Sequence, residues 1–480
     1  MGKRRLLLVN PVQLLGGQRQ RGWNGNRFVP PLNLAYIAAL TPPDWEIRIV
    51  DENAGDDATR LQGFLPDLVG ITAYTATIPR AYELAAAFRS QGLPVIIGGC
   101  HASALPEEVA CYADSAFVGQ AEGAWHQVLD DLEGGHLQPL YRGGMPSLAG
   151  LPLPRRDLYP HRYRFDAVLT SKGCPHACEF CSVWKTYERR TLQRPVGEVL
   201  DELATLRTRH LFFVDDNLAA NRAHAIGLLR GMVERRLGKR FAIQASLDAA
   251  LDDELLHWLR RAGCFLVSVG LESTDEVTLR QVRKASNLRV GVAHFATAVA
   301  RFHAQGMAVS ASIIFGHDRD TPETFRQIEA FGSTSSLDSI VFTILTPLPG
   351  TDLHARLQAD GRLFDLSLPQ GYAYYDAHHV LFEPRGMKAA ELQAANRQAV
   401  ARWTTWEALV GRAWRTWRQT QSALAALAAL QNNRWARINA RENELVAPWT
   451  ATQQGEQSTQ NASLGSRDLP AARSPGHPAE

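Results

Sequence analysis

Short apolar segments alternate with amphipathic segments along the first 140 residues of this 480-residue chain. The apolar segments are rich in β-branched residues and apolar on both faces, which is typical of parallel strands that helices cover on both sides. The predicted strands are residues 5–10, 46–51, 67–73, 94–99 and 115–119. The predicted helices are residues 31–40, 58–64, 79–91, 106–112 and 122–133. We therefore expect an α/β domain with a parallel sheet over residues 1–140.

The same alternation resumes after a Gly- and Pro-rich linker at residues 141–163. The predicted strands are residues 166–170, 210–214, 240–245, 265–269, 308–314 and 339–345. The predicted helices are residues 196–207, 223–235, 252–262, 275–282, 291–305 and 321–331. Six strand–helix units favour a partial (β/α)6 barrel over residues 164–365, rather than a complete barrel of eight units. The fold class is therefore α/β, with a flavodoxin-like or Rossmann-type domain before the barrel and binding loops at the carboxyl ends of the strands.

Tryptophan and arginine are interleaved in residues 366–446, which we interpret as a C-terminal helical cap. The residues concerned are Trp403, Trp406, Trp414, Trp417, Arg402, Arg412, Arg415 and Arg418. This composition is compatible with a helix at a membrane surface or with binding of an apolar substrate. We favour tryptophans that pack on the barrel. Residues 447–480, rich in Gln, Ser and Pro without periodicity, are predicted to be a disordered tail.

Charge and cysteine content limit the classes of function. A net charge of +2 gives no global field that would favour nucleic acid. Six cysteines and the absence of a leader-like pattern after Met1 indicate a reducing, cytoplasmic location. No apolar segment reaches the roughly 18–20 residues that span a bilayer.

Three cysteines, Cys174, Cys178 and Cys181, follow the first barrel strand with the spacing C-x3-C-x2-C. Thiolates on one short loop can bind three corners of a four-iron cluster and leave the fourth iron open to an outside ligand. A zinc site would need a fourth ligand, and His176 inside the loop would be strained in that role. A disulfide would leave an odd thiol. The remaining cysteines, Cys100, Cys111 and Cys264, are expected to be buried thiols.

This loop resembles the signature of the radical S-adenosylmethionine (SAM) enzymes. The resemblance implies that SAM fills the open iron of a [4Fe-4S] cluster through its amino and carboxylate groups, and that its reductive cleavage gives a 5'-deoxyadenosyl radical. It also implies SAM-binding groups at three strand ends: Asp215, Asp216 and Asn217 for the amino group, Glu272 and Ser273 for the ribose, and Gly316 for the adenine. Each of these could instead cap a helix, since carboxylates and hydroxyls at strand ends commonly do so.

Three segments of the first domain, residues 30–39, 98–108 and 118–123, resemble the cobalamin-binding domain of class B radical SAM enzymes. The resemblance implies cobalamin-binding residues on the corresponding loops: Gly98, Gly99, His101, Ser103, Gly119 and Glu122. Many cobalamin proteins carry Asp-x-His-x-x-Gly, but residues 10–16 lack that histidine, so we expect no protein nitrogen below the cobalt. We expect Tyr74 or Thr75 there instead. The alternative is a degenerate flavodoxin-like module in which His101 merely lines a loop.

The leading hypothesis is a cobalamin-dependent radical SAM methyltransferase. One SAM would methylate cobalt, and a second would yield the radical that activates a poorly reactive substrate carbon for methyl transfer. A second hypothesis keeps both cofactors for a rearrangement, cyclisation or oxidation, and a third is a cobalamin-binding redox sensor. We expect a small-molecule or lipid-like substrate and an external electron donor of the flavodoxin or ferredoxin type. Both cofactors should meet in one cavity between the domains, because both domains bind ligands at strand ends.

Overall fold

Two parallel sheets of six strands each organise the residues that the structure describes, which are residues 3–15, 18–19, 27–61 and 63–445. The structure is a computed structural model, and these residues belong to one compact unit, Met1–Val446. Gly16 and the tail predicted at residues 447–480 lie outside the described residues. The predicted domain boundaries at residues 140, 163 and 365 stay predictions.

The first sheet confirms the five strands predicted for the N-terminal domain and adds a sixth. The strands are β1 Arg5–Asn10, β2 Glu46–Asp51, β3 Leu68–Thr72, β4 Val95–Gly98, β5 Ser115–Val118 and β6 Leu140–Arg142. Their spatial order is β2-β1-β3-β4-β5-β6, and every neighbouring pair is parallel. The order reverses at β1, so the carboxyl ends of β1 and β3 flank the position where such sheets bind ligands.

Five helices accompany this sheet: α1 Leu32–Leu40, α2 Ile78–Arg89, α3 Cys100–Ala104, α4 Pro106–Tyr112 and α5 Trp125–Gly134. The helix predicted at residues 58–64 is wrong, because the described residues of that segment are turns and coil. The carboxylate of Asp57 accepts hydrogen bonds from both the backbone amide and the hydroxyl of Thr59. Such local bonds favour a turn over a helix.

Strand β1 shows why the first sheet is covered on both faces. Leu7 and Val9 lie in one buried apolar cluster, whereas Leu6 and Leu8 lie in another on the opposite face. All four side chains are at most 1% exposed. Because side chains alternate along a strand, an apolar residue at every position requires helices on both sides.

The second sheet confirms the partial barrel. Its strands are β7 Asp166–Val168, β8 His210–Phe213, β9 Arg240–Ala245, β10 Cys264–Glu272, β11 Ala308–Phe315 and β12 Ser339–Ile344. They lie in sequential order and all pair in parallel, so their carboxyl ends share one rim. The helices are α6 Val183–Thr186, α7 Val196–Thr205, α8 Arg222–Glu234, α9 Asp253–Ala262, α10 Glu276–Gln281, α11 Ala285–Val290, α12 Phe295–Ala304, α13 Pro322–Thr334 and α14 Asp352–Ala359.

Three C-terminal helices follow: α15 Ala389–Trp403, α16 Trp406–Thr420 and α17 Ala423–Leu445. The predicted packing of tryptophan on the barrel holds for Trp403, which is 5% exposed and has its ring centroid 6.0 Å from that of Phe342 on β12. Three other tryptophans of the segment, Trp406, Trp414 and Trp417, are exposed. No helix of the described part of the chain is both long enough and apolar enough to cross a bilayer.

Candidate active site

A cavity of about 520 Å³ lies between the carboxyl ends of the two sheets. Of the predicted site residues, seven line it: Tyr74, Gly98, Gly99, Ser103, Gly119, Glu122 and Asp216. The first six come from the N-terminal domain, and Asp216 comes from the barrel, beside Lys172, Val183 and Tyr187. The expected cavity between the domains is therefore present, because both sheets direct their loops into it.

The glycine loops of the first domain bring backbone close to this cavity. Gly99 has φ +103°, and a Cβ there would lie 2.6 Å from the carbonyl oxygen of Ala73. The Ser103 hydroxyl donates to the Gly99 carbonyl at 3.0 Å and accepts from the Gly119 amide at 3.0 Å. Ser103 thus joins two glycine loops, and it does not cap the next helix, which begins after Leu105 without a side-chain cap. These glycines form the narrow backbone cradle expected of a site for a flat, tailed ligand.

Three predicted residues of the first domain, Tyr74, Thr75 and His101, differ in their position relative to the cavity. The Tyr74 side chain is 66% exposed and lines the cavity. Thr75 and His101 are buried and do not line the cavity. The His101 ring lies 3.3 Å from the Thr75 hydroxyl and 3.3 Å from the Glu108 carboxylate. Both residues therefore support the loop behind the cavity wall, and Tyr74 is the one of the three that lines the cavity.

Polar contacts cross the cavity from one domain to the other. The Lys172 ammonium lies 2.5 Å from the Glu122 carboxylate and donates to the Gln120 side-chain oxygen at 2.9 Å. The Tyr187 hydroxyl lies 3.3 Å from the same oxygen of Gln120. Sequence reasoning found Glu122 but missed Lys172 and Gln120, since their partners lie about fifty or more positions away in the chain.

The three cysteines of the loop are close to the barrel core. Cys178 is 7% exposed, and Cys174 and Cys181 are half-buried. The Cys178 carbonyl accepts from the Cys181 amide at 3.1 Å and from the Trp184 indole at 2.8 Å, which fixes the turn. Gly173, with φ +87°, opens the loop, and a Cβ there would lie 2.3 Å from the Arg190 carbonyl oxygen. The expectation of burial fails for Cys100 and Cys111, which are exposed, and holds for Cys264.

The protein environment alone does not ionise these thiols. Burial raises the pKa of all three, that of Cys181 to about 11, while the Lys284 ammonium lowers them. A coordinated metal deprotonates a thiol outright, so the set is suited to metal ligation. Within the described residues, no three His, Cys, Asp or Glu side chains converge on one point as a single ion requires. A cube, in which each thiolate binds a different iron, does not require that convergence.

Residues after β8 hold the cysteine loop in place. Asp215, fully buried, accepts hydrogen bonds from the Thr170 amide at 2.8 Å, the Thr170 hydroxyl and the Ser171 hydroxyl. Burial raises its pKa to about 6. Asp216 accepts from the Gly173 amide at 2.7 Å. The Asn217 side-chain amide donates a hydrogen bond to the Ser246 hydroxyl and accepts one from the Ser246 backbone amide. It also lies within hydrogen-bonding reach of the Cys174 thiol. Asp215 is therefore a structural anchor, and Asp216 is the one of the three that also lines the cavity.

A buried ion pair stands beside the cysteines. Glu272 is 5% exposed, and its carboxylate lies 2.7 Å from the ammonium of Lys284, whose pKa is raised chiefly by Glu272 against the effect of burial. Glu272 has φ +61°, at an irregularity in the pairing of β10 with β11. A Cβ at Gly270 would lie 2.1 Å from the Glu272 carboxylate, so glycine leaves room for the pair. Lys284 was not predicted from sequence, because nothing local marks it.

The last two predicted residues have backbone roles in the structure. The Ser273 hydroxyl accepts from the Asp275 amide at 3.0 Å, within the turn that precedes α10. Gly316, with φ +105°, donates its amide to the Asp320 carboxylate at 2.8 Å. Neither residue lines the cavity. Their roles toward a ligand stay predictions.

Two family models match the chain: "B12 binding domain" over residues 26–129 and "Radical SAM superfamily" over residues 168–332. One relative is the Bacteriochlorophyllide d C-12(1)-methyltransferase of Chlorobaculum tepidum, 28% identical over 376 residues, covering 75% of this chain and 80% of that protein. Another is the Anaerobic magnesium-protoporphyrin IX monomethyl ester cyclase of Rubrivivax gelatinosus, 24% identical over 433 residues, covering 81% of this chain and 75% of that protein.

The fold also matches a solved structure. It is the radical S-adenosylmethionine methyltransferase TsrM from Kitasatospora setae with cobalamin and [4Fe-4S] cluster bound, with a TM-score of 0.64 and 19% identity, covering 84% of this chain and 88% of that one. The glycine cradle and the three-cysteine loop lie within the segments that the two family models match. Together the two family models match more than half of the chain, which therefore belongs to the radical SAM enzymes that carry a B12-binding domain.

Proposed function

We propose that this protein is a C-methyltransferase that uses a [4Fe-4S] cluster, SAM and cobalamin to methylate a poorly activated carbon. The observation that carries the proposal is a cavity lined by the glycine loops of the B12-binding domain and by the rim of the barrel, including Ser182 and Val183 directly after Cys181. Methyl transfer needs both reacting groups in near contact. One shared cavity meets that requirement.

The residues present fit both groups. Cys174, Cys178 and Cys181 would hold the cluster, and the loops at Gly98–Gly99 and Gly119 would cradle cobalamin. When bound, the cluster supplies the electron that cleaves SAM and cobalamin supplies the methyl group. The protein supplies position and charge.

The charged residues at the rim have separate tasks. The Lys284 ammonium lies close enough to the three thiols to lower their pKa, and it would offset the negative charge of bound thiolates. Glu272 holds that ammonium in place. Asp216, through the Gly173 amide, sets the start of the cysteine loop. The pair Lys172–Glu122 keeps the two walls of the cavity together.

The substrate we propose is a small or lipid-like molecule, since the cavity is lined by many apolar residues, among them Val29, Leu32 and Ile37. Electrons would come from an external donor of the flavodoxin or ferredoxin type, because the described part of the chain offers no second cysteine cluster.

Labelled SAM tests the function. Holoenzyme supplied with candidate substrates, a reductant and SAM carrying a labelled methyl group is expected to give a product with the label on carbon, together with 5'-deoxyadenosine. A second candidate function, ring closure without methylation, is favoured by the similarity to the cyclase. It would give 5'-deoxyadenosine and an oxidised, unlabelled product. That outcome would replace the methyltransferase assignment.

A separate prediction concerns the lower face of cobalamin. Tyr74 lines the cavity and the described residues of the stretch 10–15 contain no histidine, so the full-length protein is expected to bind cobalamin with no nitrogen below the cobalt. Electron paramagnetic resonance of the Co(II) form should lack axial nitrogen hyperfine splitting, and Tyr74→Ala should alter that spectrum. Thr75→Ala is the matched control, since Thr75 faces His101 and should leave the spectrum unchanged. Nitrogen splitting in the unmodified protein would contradict the prediction.

A further inference from the structure

Four large apolar side chains lie exposed along one face of α16. They are Trp406, Val410, Trp414 and Trp417, with exposed fractions of 54%, 61%, 60% and 40%. At 100° per residue these positions fall within an arc of about 80°, so they form one stripe. The Trp414 and Trp417 rings are 4.9 Å apart and present a continuous surface. We call these four residues the tryptophan face. An exposed cluster of this kind marks an interaction site rather than ordinary surface.

The opposite side of α16 already anchors the helix to the protein. Leu409, Arg412, Thr416 and Thr420 are buried there. The Thr416 hydroxyl donates to the Asp338 carboxylate at 2.5 Å, and the Arg412 guanidinium donates to the Trp403 carbonyl. The helix is therefore held without the tryptophan face. Within the described residues, the Arg437 guanidinium lies 5.4 Å from the centroid of the Trp406 ring, and much of the surface of Trp406, Trp414 and Trp417 remains exposed.

Positive charge borders the tryptophan face. The helix carries three arginines and a single glutamate, Glu407. Beyond Trp414, Glu407 and Arg418 follow at about 20° and 40° around the helix, along one edge of the stripe, and Arg415 lies farther away, at about 100°. Neither arginine forms an ion pair with a described acidic residue, and Arg415 donates only to the Ser333 carbonyl at 3.4 Å. Arg418 is exposed, so its charge is free to meet an anionic surface, whereas Arg415 is half-buried.

We propose that the tryptophan face binds the surface of an anionic membrane. Tryptophan is suited to the lipid headgroup layer because its ring is apolar and its indole N–H is polar. Arginines next to an apolar helical stripe add attraction to anionic lipids. A second copy of the chain is a poorer partner, because a two-fold contact through this face would bring the arginines of both copies together. The proposal is independent of which reaction the active site catalyses.

The test uses the full-length holoprotein under anaerobic conditions. It is mixed with vesicles of phosphatidylcholine alone or of phosphatidylcholine with phosphatidylglycerol, and the bound fraction is measured by sedimentation. We expect binding to the phosphatidylglycerol vesicles that falls as salt rises. Trp414→Ser with Trp417→Ser should weaken it by at least about tenfold. Arg415→Gln with Arg418→Gln should weaken it by about tenfold to thirtyfold, on anionic vesicles only.

Leu65→Ser is the matched control, since Leu65 is also a highly exposed apolar residue, at 62%, but lies in the N-terminal domain. It should bind as the unmodified protein does. Lipids with brominated chains should quench tryptophan fluorescence in the control and less in the tryptophan variant. The proposal is overturned if the protein stays with the supernatant, if the variants bind as the control does, or if the tryptophan variant only changes the molar mass in solution.

Discussion

Replacing Cys178 with alanine is expected to abolish SAM cleavage. The variant would leave two thiolates for a cluster that needs at least three protein ligands to leave a single iron open, and Cys178 is the most buried of the set. We expect iron content after anaerobic reconstitution to fall well below four per chain. Release of 5'-deoxyadenosine after reduction should fall at least about a hundredfold.

Cys111→Ala is the matched control for this loss. Cys111 is exposed on α4, far from the loop in sequence, and its thiol donates a hydrogen bond to the Glu107 carbonyl of the preceding turn. The control should keep full iron content and full cleavage. Normal 5'-deoxyadenosine release by the Cys178 variant would show that the cluster is held elsewhere, and the assignment of the loop would fall.

Replacing Glu202 with glutamine is expected to lower the free energy of unfolding by about 3–5 kcal/mol. Glu202 on α7 is fully buried, and its carboxylate lies 2.5 Å from both Arg156 and Arg194. Arg194 is 1% exposed and also donates to the Tyr36 hydroxyl on α1 at 3.1 Å. Loss of the carboxylate charge would leave the buried Arg194 without its counter-ion, while Arg156 keeps its ion pair with Asp166 at 2.9 Å. A buried charge left unpaired costs far more than loss of a surface pair.

The measurement is urea unfolding of the protein without cofactors, followed by circular dichroism. Glu254→Gln is the matched control, because Glu254 also pairs with two arginines, Arg222 and Arg230, but is 45% exposed. Solvent screens such pairs, so the control should change stability by less than about 1 kcal/mol. A Glu202 variant no less stable than the control would contradict the prediction. The network would then be a consequence of packing and not a source of stability.

The network of Glu202 also explains how the cavity acquires its shape. Arg156 lies between β6 and β7, Arg194 and Glu202 lie just before and on α7, and Tyr36 lies on α1, where it lines the cavity. The Glu202 network and the ion pair between Lys172 and Glu122 together connect the two sheets near the carboxyl ends of their strands. The geometry of the shared site therefore depends in part on charged residues outside the cavity lining, namely Arg156, Arg194 and Glu202.

The sequence by itself determined the parts of this protein that depend on neighbouring residues. Eleven of the twelve strands in the two six-stranded sheets were predicted because each is an apolar segment that must be buried, and burial leaves a local pattern. The missed strand, Leu140–Arg142, is three residues long and too short to show one. The spacing of Cys174, Cys178 and Cys181 is likewise local, so one short loop is enough to predict a cluster-binding site.

Tertiary structure alone decided which residues meet. Thr75 and Tyr74 are adjacent in sequence, yet one faces His101 and the other the cavity, since the turn after β3 directs them to opposite sides. Lys284 forms an ion pair with Glu272, and Arg194 forms a hydrogen bond with Tyr36, which is 158 positions away in the chain. The burial of tryptophan is decided in the same way, since Trp403 is buried against Phe342 of β12 while Trp414 remains exposed. Such contacts join residues that only the tertiary fold brings together, and no local pattern of hydrophobic and polar residues encodes them.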